Sequence, residues 1–152
     1  MIGTDRLQRL APYAPLLLRI VIGVIMAAHG LEKLTGEGGP AGFGAGAIGE
    51  IGLPAPELLG WVVTIIELLG GTALVLGALT RVAALLNAGV LVGAILFVKL
   101  EVGLIAEEGV GYELDLALLA GLLALAVLGP SRPSVDHALG AETVEPRAVA
   151  TR

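Results

Sequence analysis

The stretch 61–79 is an apolar run interrupted by a single acid: Trp61 opens it, Glu67 stands near its middle, and Gly70, Gly71 and Gly77 precede Leu79. At about 1.5 Å per residue a helix of this length reaches roughly 28 Å, close to the hydrocarbon thickness of a bilayer, which sets Glu67 near the midplane. A carboxylate facing lipid at that depth costs on the order of 3 kcal/mol even on insertion scales, so it has to face protein, paired or protonated. Any fold for this chain must therefore build a wall around Glu67.

The rest of the sequence has the means to build it. Of 152 residues 56% are hydrophobic and only 15% charged, which places the chain among integral membrane proteins, and its 23 glycines suit helices that approach closely in lipid. With no cysteine the chain cannot relay electrons through a thiol pair or hold an iron–sulfur cluster. Its two histidines are His29 and His137, and the second lies in a polar tail, which excludes a bis-histidine haem between helices of one chain. No basic run is present to bind nucleic acid. The first apolar stretch has no trustworthy cleavage pattern and reads as a retained helix, not a signal peptide.

Proline and glycine punctuation divides the chain into a cytoplasmic N-terminus (1–12), a four-helix transmembrane domain (13–130) and a polar cytoplasmic tail (131–152). The spans are expected at about 13–34, 56–79, 82–98 and 112–128, with Thr80 as the N-cap of the third. The tail is expected to be partly disordered, mostly beyond Leu139. Between the first two spans, 41–54 is too rich in glycine for a stable helix in water and too short to span, so it reads as an outer loop or a re-entrant segment. The fold class is all-α, a four-transmembrane-helix bundle. Arg6, Arg9, Arg19, Arg81, Arg132, Arg147 and Arg152 fall at one end of it, and only Lys33 and Lys99 at the other. This bias puts both termini in the cytoplasm of a cell whose inner, plasma membrane the chain crosses several times.

Helical periodicity gathers the polar residues. Arg19, Gly23, Met26, Gly30 and Lys33 share one face with His29 at its edge, and Gly60, Thr64, Glu67, Gly71 and Leu74 share another. Depth along each span suggests two groups: an inner one of Arg19, Glu67 and Arg81, in which Arg19 pairs with Glu67, and an outer one of His29, Lys33, Lys99, Tyr112, Glu113 and Asp115. Each has a structural reading, as a buried pair that sets helix register or an anchor at a helix end, and a functional one, as the wall of a proton route or a ligand site. The candidate ligand-binding residues are Arg19, His29, Lys33, Glu67, Arg81 and Glu113, with Asp115 ranked below Glu113. Asn87 is expected to hydrogen-bond across helices. No catalytic residue stands out. No metal is assigned, because no His-x-x-x-His or Glu-x-x-His spacing occurs.

The strings His29-Gly30-Leu31-Glu32-Lys33, Glu67-Leu68-Leu69-Gly70-Gly71, Leu76-Gly77 through Thr80-Arg81 to Ala84, Gly111-Tyr112-Glu113 and Gly129-Pro130 before Ser134-Val135-Asp136 resemble the DoxX family of small four-helix membrane proteins. The resemblance runs from about Leu16 to Leu139 and departs only at Ser131-Arg132-Pro133, where a more glycine-rich turn is expected. It implies an inner-membrane protein of bacteria or archaea associated with redox stress, thiol homeostasis or thiosulfate oxidation through partner oxidoreductases. It carries a role onto His29, Lys33, Glu67, Arg81 and Glu113. Three functions are consistent with the residues: a subunit that binds a quinone or similar small ligand, with no covalent cofactor, and serves a partner oxidoreductase; a proton-linked transporter; and an assembly subunit without ligand. Whether copies associate as a homo-oligomer is left open.

Overall fold

The computed structural model describes residues 8–106 and 109–141; Met1–Leu7, Glu107, Glu108 and the tail beyond Ala141 lie outside the described residues. Within them every regular element is helical. After a 3₁₀ turn at Ala11–Tyr13, α1 spans Ala14–Thr35. A short helix α2, Gly39–Phe43, continues as a π-turn at Gly44–Ile48. Helix α3 runs over Pro56–Leu76 with a π-turn at Ile66–Gly70, and α4 over Thr80–Lys99, ending in a π-turn at Ile95–Lys99. Helix α5 is Glu113–Leu128 and α6 the single turn Val135–Ala138.

Among the described residues three helices, Gln8–Thr35, Pro56–Leu76 and Thr80–Lys99, are long and apolar enough to cross a membrane. Helix α5, at 16 residues, is shorter than the roughly 20 that a perpendicular span needs. It packs along α4 and against α1 as the fourth member of the bundle. The outward surface is apolar, with Leu17, Val24, Leu58, Leu69, Val92 and Leu123 among many exposed aliphatic side chains. Water does not favour such a surface, and lipid does.

The anticipated faces hold. Arg19, Gly23, Met26 and Gly30 of α1 are buried, as are Gly60, Thr64, Glu67, Gly71 and Leu74 of α3. Small residues let these two backbones touch: a Cβ on Gly30 would strike the backbone of Leu68, and one on Gly23 would strike Gly71 and Val75. The glycine-rich segment meets the other half of α3 in the same way, Gly44 against Pro56 and Glu57, and Pro40 against Gly60. So α1 and α2 in succession run antiparallel to one helix, α1 along Leu68–Val75 and α2 along Pro56–Gly60. Where the sequence left loop and re-entrant segment open, the segment is helical and prolongs the path of α1.

At the opposite end the segment after α5 folds back. Arg19, 2% exposed, donates from Nη1 to the Ser131 carbonyl (3.2 Å) and from Nη2 to the Pro133 carbonyl (2.6 Å). Asp136 accepts from the Leu79 N–H (2.7 Å), the Thr80 N–H (3.0 Å) and the Thr80 hydroxyl (2.9 Å). Thr80 is thus not the cap of its own helix. A carboxylate distant in sequence supplies the cap, satisfying two donors that α4 leaves open and holding Leu79 at a positive φ of 48°. Residues 131–141 are accordingly part of the fold, with Ser131 and Asp136 buried; Gly140 and Ala141, in the stretch expected to be disordered, donate to the carbonyls of His137 and Asp136, and the rest of that stretch lies outside the described residues.

Burial by itself raises the proton affinity of Asp136, but the N–H groups of Thr80 and Leu79, the Thr80 hydroxyl and the nearby Arg19 guanidinium outweigh it and hold the carboxyl below its ordinary value. The unfolded chain binds this proton more readily, so the stabilisation is complete above the ordinary aspartate range, about pH 4, and is lost as pH falls through the lowered value. Asp136→Ala, which strands the donors of Leu79 and Thr80, should cost about 2 kcal/mol or more in thermal unfolding of detergent-solubilised protein. Asp136→Asn should flatten the acid limb of the stability curve.

Candidate functional site

Helices α3 and α4 are close at Gly70, where a Cβ would meet the Asn87 side chain, and part company beyond it towards Pro56 and Lys99. The opening is a cavity of about 840 Å³, walled by α1, the α2 segment, α3, α4 and α5. Each of the three π-turns contributes to its wall, through Ala47 and Ile48, through Ile66 and Glu67, and through Phe97, Val98 and Lys99. A π-turn inserts one residue into the helical register and so re-aims the side chains beyond it, a device that recurs at functional sites.

The lining is aliphatic except for a few groups. Glu67, 5% exposed, receives a charge-assisted hydrogen bond from Lys33 Nζ at 2.7 Å. The same ammonium lies 5.0 Å from the centroid of the Phe43 ring, a cation–π distance. His29, one turn earlier on α1, also lines the cavity, and its Nδ1 stands 3.7 Å from Glu32. Across the cavity Lys99 Nζ donates to Asp115 at 2.6 Å. Among the described residues no group of three His, Cys, Asp or Glu side chains comes together as a metal site would require.

Of the residues singled out from sequence, His29, Lys33 and Glu67 converge here. Three do not. Arg19 does not pair with Glu67: its contacts with Gly77 and the chain after α5 put it about 15 Å along the helix axis from the acid. Depth counted along separate helices missed this, because the stagger of α1 on α3 is set by where glycines let backbones touch. That stagger, with the backward lean of helical side chains towards the N-terminus, delivers Lys33 to Glu67. Arg81 donates to the carbonyls of Ala126 (2.6 Å) and Val127 (2.8 Å), in the last turn of α5, where a cation complements unpaired acceptors. Glu113 is exposed, and the neighbouring acid Asp115 faces the cavity instead.

Lys99 and Asp115 were the residues undervalued. The signal was present: Asp115 falls on the stripe of Leu118, Leu122 and Leu125, all buried, whereas Glu113 does not. Asn87 is fully buried, but where a hydrogen bond across helices is expected its amide donates to Ala83 in its own helix (2.8 Å).

The DoxX profile matches residues 14–100, more than half of the chain. The chain belongs to the DoxX family. It is a membrane protein with several apolar helices, as the family and the helix lengths together indicate. No curated protein and no solved structure matches the chain. The matched region of this DoxX protein contains His29, Lys33, Glu67 and Lys99, and ends before Asp115 and the Asp136 cap.

Removing one partner of a buried ion pair leaves the other charge uncompensated, at a cost of about 3 kcal/mol or more. Lys33→Met should therefore destabilise the protein more than the double replacement Lys33→Met with Glu67→Gln, in thermal unfolding of purified protein. Additive losses would show that the two groups are not coupled.

Proposed function

We propose that this DoxX protein crosses the inner, plasma membrane four times with both termini in the cytoplasm. We further propose that it binds a quinone, or a small molecule of similar shape and polarity, as a membrane subunit of a partner oxidoreductase. The observation that carries the reading is the large apolar cavity in which His29, Lys33 and Glu67 form a compact polar corner. Its volume, about 840 Å³, falls in the range of small-molecule sites, which are mostly apolar with a few convergent polar groups. A planar dicarbonyl fits this chemistry: its body is buried by Val63, Ile66 and Leu118, while an oxygen accepts a hydrogen bond from the Lys33 ammonium or the His29 imidazole. Glu67 orients Lys33 and keeps the bound charge balanced.

Lacking cysteine, the chain has no thiol pair or iron–sulfur cluster to pass electrons, so we assign that step to the partner. The four-span arrangement requires α5 to tilt little and to rely on local thinning of the bilayer, a tolerable mismatch for a helix of about 24 Å.

Purified protein in nanodiscs should bind a benzoquinone saturably, and Glu67→Gln or His29→Ala should weaken binding about tenfold. Absence of saturable binding by the unaltered protein overturns the reading. Single cysteines introduced at Gln8 and at Ala141 should react with an impermeant thiol reagent from the same side of the membrane, and reaction from opposite sides overturns the topology.

A further inference from the structure

The ion pair of Lys99 and Asp115 lines the cavity but takes no part in the corner formed by His29, Lys33 and Glu67. Its construction repeats that corner. Glu67 lies within the π-turn Ile66–Gly70 of α3 and meets Lys33 of α1 at 2.7 Å, while Lys99 ends the π-turn Ile95–Lys99 of α4 and meets Asp115 of α5 at 2.6 Å. The second pair is not the only hold of α4 on α5. Arg81 joins the two helices at their other end, and Ala84, Ala88, Leu118 and Leu122 share one core. The Lys99 ammonium gives one N–H to Asp115 and has two more to offer.

The relative heights of the two pairs follow from the contact of α3 with α4. Because Gly70 lies against Asn87 and the helices are antiparallel, Glu67 is level with about Val90. Lys99 then stands roughly 14 Å further along the axis, towards the α2 end. Helical side chains lean towards their own N-termini, so Glu67 and Lys99 lean towards each other and their charged groups are closer than their backbones. Between the two levels the cavity is lined by Val63 of α3, Gly93 and Ala94 of α4 and Leu118 of α5, all without a polar side chain. Along this direction the wall is therefore polar, apolar and polar again.

Resting on the reading above, we propose that the ligand is held at both ends, with Lys99 as the donor to a second oxygen opposite the one at Lys33 or His29. Asp115 is the positioning residue: its carboxylate fixes the ammonium at the cavity wall, as Glu67 fixes that of Lys33. A ring with opposed carbonyls reaches roughly 11 Å from donor to donor when about 2.9 Å is allowed for each hydrogen bond, which suits the spacing of the two pairs. Its apolar body faces Val63, Gly93, Ala94 and Leu118. The cavity thus selects molecules with an acceptor at each end over molecules of the same outline with one.

The test uses the full chain in nanodiscs and two probes, a dimethylnaphthoquinone with two opposed carbonyls and the tetralone of the same bicyclic outline with one. Unaltered protein should bind the dicarbonyl about tenfold more tightly. The double replacement Lys99→Met with Asp115→Leu exchanges the pair for apolar residues, a change that buried ion pairs tolerate, and thermal unfolding checks the fold. It should lower affinity for the dicarbonyl about tenfold and leave the tetralone nearly unchanged, whereas Lys99→Arg, which retains a donor, should keep the preference. A merely structural pair would weaken both probes alike. Equal affinities of the two probes for unaltered protein, an equal loss in the double variant or no loss at all overturns the proposal while leaving the proposed function standing. If unaltered protein binds neither probe, the proposed function fails and this inference with it.

Discussion

The ion pair between Lys33 and Glu67 is the constraint on which the rest of the bundle depends. A carboxylate placed among aliphatic side chains has to find a cation, and it finds one only because Gly30 lets α1 lie directly on Leu68, the residue next to the acid. The consequence propagates. With α1 held at that stagger, it ends alongside the middle of α3, and the other half of α3 is left to the glycine-rich segment Gly39–Ile48. That segment brings Phe43 beside the ammonium and closes one wall of the cavity.

The two ends of the bundle differ in kind. At the end held by Arg19, Thr80 and Asp136, the buried side chains Leu74, Leu122 and Leu125 pack without exposure, and the chain after α5 is stitched across the helix termini. At the other end α3 and α4 diverge, and three π-turns shape the space between them. A closed, capped end and an open, lined one suit a protein that holds its helices together at one level and receives a small molecule at another. Arg81 belongs with the first, since it caps α5.

Much of this was legible in order. Membrane character follows from composition, helix limits from Pro15, Pro56 and Gly129, and buried faces from periodicity, because these are local properties of the chain. The candidate site was legible in part: His29, Lys33 and Glu67 come together, but Glu67 was matched to the wrong cation. Arg19 and Glu67 look like partners when each helix is measured from its own end, and only packing tells how far one helix is slid along the other. Asp115 lies on the buried stripe of α5 and Glu113 does not, yet the reading of the residues ranked Glu113 first and the family resemblance supported the exposed residue as well.

By itself the sequence determined that a buried acid must be sheltered by apolar helices of bilayer length, and where those helices begin and end, since burial of charge and helix termination act over a turn or a single span. Tertiary structure alone decided which cation reaches that acid, that a helix terminus is capped by Asp136 from far along the chain, and that α3 and α4 separate to leave a cavity. Those outcomes depend on contacts between residues distant in sequence, whose relative heights are set by interlocking surfaces and not by any local preference.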